Sequence, residues 1–242
     1  MLKYALITGG TKGIGFSVAK CLGNMGYNLI LTYAADTITA DKSSEFLCNE
    51  YGIDTLTIQA DSSDKKAIDR ILNEIDLRKI KLDVIVFNAG ITCRDSFEEL
   101  KYENWERVFF ANVHFPTFLL QRLTGNIKHG GCVIFTGSLM GIMPHAMSLS
   151  YGVTKAAVHS LVKNLVKFLS PLGIRINAVA PGFVDTEWQK NKPVEIRNNI
   201  ENKISLGRFC DADELAGVYK LLIENSYING EIIVADGGYS YK

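Results

Sequence analysis

Short apolar runs recur along the chain at Tyr4–Thr8, Asn28–Tyr33, Thr55–Gln59, Val84–Phe87, Cys132–Thr136, Arg175–Ala180 and Ile232–Ala235. They are rich in Ile, Val, Leu and Phe and do not alternate with polar residues, which is how strands buried on both faces read. Between them lie stretches of helical period at Ile14–Met25, Thr39–Tyr51, Ser63–Leu77, Tyr102–Ile127, Tyr151–Ser170 and Asp211–Glu224. This alternation through the whole length predicts a single α/β domain over residues 1–242, a doubly wound seven-stranded parallel sheet with helices on both faces. No linker, repeat or low-complexity segment divides it. The segment 183–206 breaks the rhythm with Trp188, a basic Lys190–Lys192 stretch and Pro193. An insertion after a parallel strand's carboxyl end lies where such sheets bind ligands, so this segment reads as a substrate lid.

Composition narrows the class. A chain of 242 residues buries roughly 70–75% of its extended surface on folding and needs no staples. Hydrophobic residues at 47% and charged residues at 21% exclude disorder. Lys plus Arg and Asp plus Glu are both 26, so the net charge is 26 − 26 = 0. With no long basic run, the chain reads as neither a nucleic-acid nor an anionic-membrane binder. No apolar stretch approaches the ~18 residues of a membrane span, and the amino terminus runs straight into a strand. The cysteines, Cys21, Cys48, Cys93, Cys132 and Cys210, are odd in number and lack CxxC spacing. They read as buried free thiols of a reducing compartment, and the cytoplasm is the expected location. The scattered histidines His114, His129, His145 and His159 predict no metal site.

The first strand is followed at once by Thr8-Gly9-Gly10-Thr11-Lys12-Gly13-Ile14-Gly15 and then a helix. Glycines permit a tight turn and close backbone approach to a pyrophosphate, and the helix N-terminus favours negative charge. The turn is read as dinucleotide-binding. An NAD site places an acid at the end of the second strand to bind the ribose. Here that strand ends Leu31-Thr32-Tyr33-Ala34-Ala35, and the first acid is Asp36, beyond the expected place. Tyr33 is counted with the cofactor-binding residues. Lys12 offers a cation for a 2′-phosphate, so NADP(H) is expected in preference to NAD(H).

Tyr151-Gly152-Val153-Thr154-Lys155 opens a long helical stretch. Residues four apart share a helix face, so phenol and ammonium address one volume. A nearby cation favours the phenolate, and the tyrosine pKa is expected to fall. Ser138, just past the fifth strand, is placed to donate to a carbonyl oxygen. Asn112, in the long preceding helix, is placed to hold a water or backbone carbonyl in a proton relay.

These motifs together resemble the short-chain dehydrogenase/reductase family, over essentially the whole chain. The resemblance rests on the glycine turn, Asp61, Asn88-Ala89-Gly90, Asn112, Ser138, Tyr151-x3-Lys155, Pro181-Gly182 with Thr186, and Asp236-Gly237-Gly238. It implies a Rossmann fold and a catalytic set of Asn112, Ser138, Tyr151 and Lys155. It implies that Asp61 contacts the adenine and that Asn88, Ala89 and Gly90 pack under the adenosine. Lys155 would bind the nicotinamide ribose, while Val184 and Thr186 hold the carboxamide. Phe87 stands where the family's Asn-Asn-Ala-Gly motif begins with Asn. Gly207-Arg208-Phe209, Tyr227-x-x-Gly230 and Val234-x-Asp-Gly-Gly238 make the chain most similar to bacterial 3-oxoacyl-[acyl-carrier-protein] reductases.

That likeness implies an acyl-thioester or other small-molecule substrate, an acyl carrier protein as partner, and a homotetramer or homodimer. The tetramer's contacts would use the helices containing Asn112 and Tyr151. Leu172 departs from the arginine those reductases carry, with Lys128 and His129 as substitutes. Relatives acting on sugars, polyols or steroids share the motifs, and a nucleotide-sensing protein on this fold is the non-catalytic alternative. Met140, Met143 and Met147 cluster before the tyrosine helix. Methionine suits an irregular apolar pocket, so Met140, Met147, His145 and Trp188 are expected to line the substrate pocket.

Overall fold

The computed structural model describes residues 2–190 and 192–242. Seven strands, β1 (Lys3–Thr8), β2 (Tyr27–Tyr33), β3 (Thr55–Gln59), β4 (Leu82–Phe87), β5 (Ile127–Thr136), β6 (Arg175–Pro181) and β7 (Ile232–Ala235), form one sheet. All pairings are parallel, in the order β3-β2-β1-β4-β5-β6-β7. Successive side chains of a strand point to opposite faces, and here both faces are apolar. Leu6, Ile30, Ile85 and Val133 enter one core, and Ala5, Ile7, Leu29, Leu31, Val86 and Ile134 the other. The first core is covered by α3 (Lys66–Leu77), α5 (Phe115–Leu123) and α6 (Leu149–Leu169). The second is covered by α1 (Gly13–Asn24) and α9 (Ala212–Glu224). The strand order reverses between β1 and β4, which opens a crevice at their carboxyl ends.

The expected long helix over Tyr102–Ile127 is two helices, α4 (Tyr102–Phe109) and α5, joined by a π turn at Phe110–His114. Pro116 explains the break. It has no N–H for the Asn112 carbonyl, and its ring crowds that oxygen, so the helix widens. A 3₁₀ turn follows at Thr124–Asn126, and Ile127 belongs to β5, paired with Leu82. The third helix starts at Lys66 rather than Ser63, because the Ser63 N–H and hydroxyl both donate to Asp61 Oδ1 at 2.8 Å. The second, α2 (Thr37–Tyr51), starts before Thr39 because Asp36 caps it, accepting from Thr39 N. Between β6 and α9 lie α7 (Glu187–Lys190) and α8 (Val194–Glu201), in the segment read as a lid. All five cysteines are free, but only Cys132 is buried, so the expectation of buried thiols holds for it alone. No helix among the described residues is long and apolar enough to cross a membrane.

Candidate active site

A cavity of about 660 Å³ occupies the crevice. Its floor is the glycine turn. Gly9 (φ +62) and Gly13 (φ +55) lie in the left-handed region, which a side chain disfavours. Thr11, Lys12, Gly13 and Ile14 line the cavity with Gly9. Gly15, expected beside them, does not line it: a Cβ there would stand 2.1 Å from the Gly9 carbonyl oxygen. Its place is to let α1 descend onto the turn.

Asn88 holds that turn from the neighbouring strand. Its Nδ2 donates to the carbonyls of Thr8 at 3.2 Å and Gly9 at 3.1 Å. In return the N–H groups of Asn88 and Ala89 donate to Thr8 Oγ1. Ala89, Tyr33 and Asp61 also line the cavity, as does Gly90, where an added Cβ would stand 3.7 Å from the Lys155 Nζ. Phe87, in place of the family's Asn, packs on Phe135 with ring centroids 4.8 Å apart, so the core absorbs the departure. Lys12 and Asp36 both line this end and form an ion pair at 3.0 Å. Hydrogen bonds from Thr39 and Lys12 hold the Asp36 carboxyl down at about 2. The cation read as available for a phosphate therefore already has an anionic neighbour.

The other end brings together the strand end Thr136–Ser138 and the face of α6. Lys155 is buried, and its Nζ donates to the Thr136 carbonyl at 2.6 Å. The ammonium lies 5.3 Å from the centre of the Tyr151 ring. Burial pushes Lys155 down to about 8. It pushes Tyr151 up to about 12, against a smaller opposite pull from the Ser138 hydroxyl. The expected fall of the tyrosine pKa is thus corrected. The cation gives its short hydrogen bond to a backbone carbonyl rather than to the phenol, and desolvation dominates. The Ser138 Oγ accepts from Met140 N at 3.1 Å, and its N–H donates to His159 Nε2 at 3.4 Å.

Asn112 does not line the cavity. Its amide is spent on structure, accepting from Ile91 N at 2.9 Å and donating to Ile91 O and Thr154 Oγ1. It pins the loop after β4 against α6, behind Lys155. Pro181, Gly182, Val184 and Thr186 close the cavity from the β6 side. Met140, His145 and Trp188 line it, and the Trp188 ring lies 6.2 Å from that of Tyr151. Met147 is not brought there. It is 51% exposed, and Met143 lines the cavity from the same loop. His159, Thr136 and Tyr239 were not anticipated, and Thr136 and Tyr239 line the cavity. For His159 the signal was available, because Tyr151, Lys155 and His159 are spaced four apart on one helix face.

The residues fit a dinucleotide. The turn leaves open backbone at the amino end of α1, whose first turn carries no acid. At Gly13 an added Cβ would meet only Thr186 at 3.6 Å, so the glycine leaves room for a ligand. Among the described residues no group of three acids, cysteines or histidines could hold a metal ion.

A doubly wound sheet with this glycine turn and this serine, tyrosine and lysine in one crevice defines an oxidoreductase of the dinucleotide-dependent kind. The family model described as Enoyl-(Acyl carrier protein) reductase matches residues 9–240, and the chain belongs to the short-chain dehydrogenase/reductase family. It is 33% identical over 245 residues to a 3-oxoacyl-[acyl-carrier-protein] reductase of Aquifex aeolicus, covering 98% of this chain and 96% of that one. A short-chain dehydrogenase/reductase from Serratia marcescens superposes with a TM-score of 0.92 at 30% identity, covering 98% of both chains. A short chain dehydrogenase from Burkholderia cenocepacia, solved in complex with NADP, gives 0.92 at 27%, again covering 98% of both.

Proposed function

We propose that the protein is an NADP(H)-dependent reductase of carbonyl substrates, with a 3-oxoacyl thioester as the substrate. The convergence of Ser138, Tyr151 and Lys155 on one cavity end carries this reading. The thioester draws its support from the likeness to the Aquifex aeolicus enzyme. NADP draws its support from Lys12 and from the NADP-bound relative.

In this reading the glycine turn and Asn88–Gly90 cradle the adenosine half and its pyrophosphate, with Asp61 at the adenine. Lys155 holds the nicotinamide ribose, and Val184 and Thr186 hold the carboxamide. When bound, the nicotinamide supplies a hydride to the carbonyl carbon or receives one from the alcohol. Ser138 and Tyr151 hydrogen-bond the carbonyl oxygen. Tyr151, raised by burial, stays protonated at neutral pH and gives its proton to that oxygen as general acid. Lys155, the nearest buried cation, steadies the phenolate left behind. Asn112 acts by fixing the Ile91 backbone rather than by touching substrate. Trp188 and the segment around it cover the acyl portion, with Met140 and His145 beneath.

The carrier-protein partner rests on the likeness alone. Lys128 donates to both carboxylate oxygens of Asp83 and to the Leu2 carbonyl, so it is no free counter-charge. That observation, with Leu172 in place of arginine, favours the second reading, a small ketone or alcohol not borne on a protein. A homotetramer through α4–α6 is supported by Phe118 and Phe168, both more than half exposed on α5 and α6. NADPH absorbance followed with acetoacetyl-CoA tests the thioester. Consumption above the substrate-free rate supports it. None, with NADPH binding shown in the same sample, directs the search to sugars, polyols and other ketones.

A further inference from the structure

The site depends on where Ser138 points, and Ser138 lies where the sheet no longer governs it. The ladder continues as far as Gly137, whose N–H donates to Val179 O at 2.7 Å. Ser138 is the next residue, buried, and its N–H has left the strand pairing. A buried N–H needs a partner. The partner is a side chain from α6, the imidazole of His159, whose Nε2 stands 3.4 Å away. The ring is wedged against the strand end. A Cβ at Gly137 would lie 2.2 Å from His159 Nε2, so the glycine is what admits the ring.

We infer that His159 is a positioning residue for the reaction, its Nε2 receiving the Ser138 N–H and so fixing the serine hydroxyl toward Tyr151. The inference rests on the reading that Ser138 binds the substrate carbonyl. The geometry leaves the hydroxyl little choice. Its oxygen already accepts from Met140 N, and its backbone is held by the imidazole, so its proton is left to face the cavity. Tyr151, Lys155 and His159 stand on successive turns of one helix. One rigid element thereby sets the phenol, the ammonium and, through His159, the serine. The contact requires an unprotonated Nε2, because an imidazolium would set N–H against N–H. Burial and the charges of Lys155 and Lys163 push His159 down to about 4, which keeps it an acceptor at neutral pH.

The test compares wild type with His159→Phe, His159→Gln and Ser138→Ala. The readouts are kcat and KM with NADPH and acetoacetyl-CoA (or diacetyl, if the thioester is not turned over), and the NADPH Kd by fluorescence. His159→Phe should lower kcat about tenfold with NADPH Kd changed less than about twofold, and His159→Gln, which keeps an acceptor, should recover most of it. A His159→Phe enzyme with wild-type kcat, or one whose loss lies in NADPH binding, overturns the inference. Full turnover by Ser138→Ala overturns instead the serine reading beneath it. A readout free of substrate and of mutation is the ¹⁵N spectrum of histidine-labelled protein. It should show His159 as the Nδ1–H tautomer at pH 7, and a protonated Nε2 overturns the inference outright.

Discussion

Lys12 and Asp36 meet at one end of the cavity, the ammonium of the glycine turn 3.0 Å from the carboxylate that caps α2. In the proposed function the pair would set cofactor preference by competition. A 2′-phosphate must draw Lys12 away from Asp36 and sit beside an acid that stays charged down to about pH 2. Both groups are largely exposed, so the stakes are modest and screened by salt. Lys12→Ala should weaken NADPH about three- to fivefold relative to NADH, and Asp36→Asn should strengthen it by a similar factor. Fluorescence titration at low and high salt reads both, and the difference should shrink at high salt.

The pH dependence should differ between the two directions. Tyr151 is protonated throughout the neutral range, and Lys155 loses its proton at about 8. Reductive kcat/KM should be level from pH 6 to about 7.5 and fall above about 8 as the lysine charge is lost. The oxidative direction, which needs the phenolate beside a charged Lys155, should rise with pH to about 8 and then level off. Initial rates in a constant-ionic-strength buffer series check both limbs.

Stability should decline as acid is added, in a window set by His159. Its pKa is lowered from 6.5 to about 4 on folding. The unfolded chain therefore binds the extra proton between those values, and stability is lost as pH falls from about 6.5 toward 4. Allowing for screening, His159 contributes roughly 1–2 kcal/mol of that loss. Urea melts at pH 7 and pH 5 should show a smaller difference in His159→Gln than in wild type.

Three substitutions separate contact from packing. Gly15→Ala places a Cβ 2.1 Å from the Gly9 oxygen, so it should displace the turn and abolish cofactor binding although Gly15 itself lines nothing. Trp188→Ala should raise KM for the carbonyl substrate several-fold with little change in NADPH Kd. Met147→Ala, outside the cavity, should change neither. Steady-state kinetics and fluorescence titration give the comparison.

The sheet was legible because its strands are apolar on both faces and stretches of helical period lie between them. Nothing in that pattern depends on distant contacts. The glycine turn, Ser138, Tyr151 and Lys155 were legible for a related reason, since each sits at the carboxyl end of a strand or on the helix that packs there. What escaped was set by local polar bonding. Asp36 and Asp61 each redirected a helix start through side-chain acceptance, and Pro116 split a helix whose hydrophobic period ran on unbroken. The Tyr151 shift was misjudged because spacing brings the lysine near but does not say that its hydrogen bond goes to Thr136. Met147 was misplaced because clustering in one loop does not say which side chains turn inward, whereas Asn112 does hold a backbone carbonyl, that of Ile91.

In the proposed function the tyrosine end of this cavity reduces a carbonyl while the glycine end holds the cofactor. Its most direct test is Tyr151→Phe beside wild type, with NADPH consumption and NADPH binding measured on the same samples. Turnover of any carbonyl that wild type reduces should be lost while NADPH Kd stays within about twofold, because the phenol is needed for proton transfer and not for holding the dinucleotide. Turnover retained at more than a few per cent of wild type would contradict it.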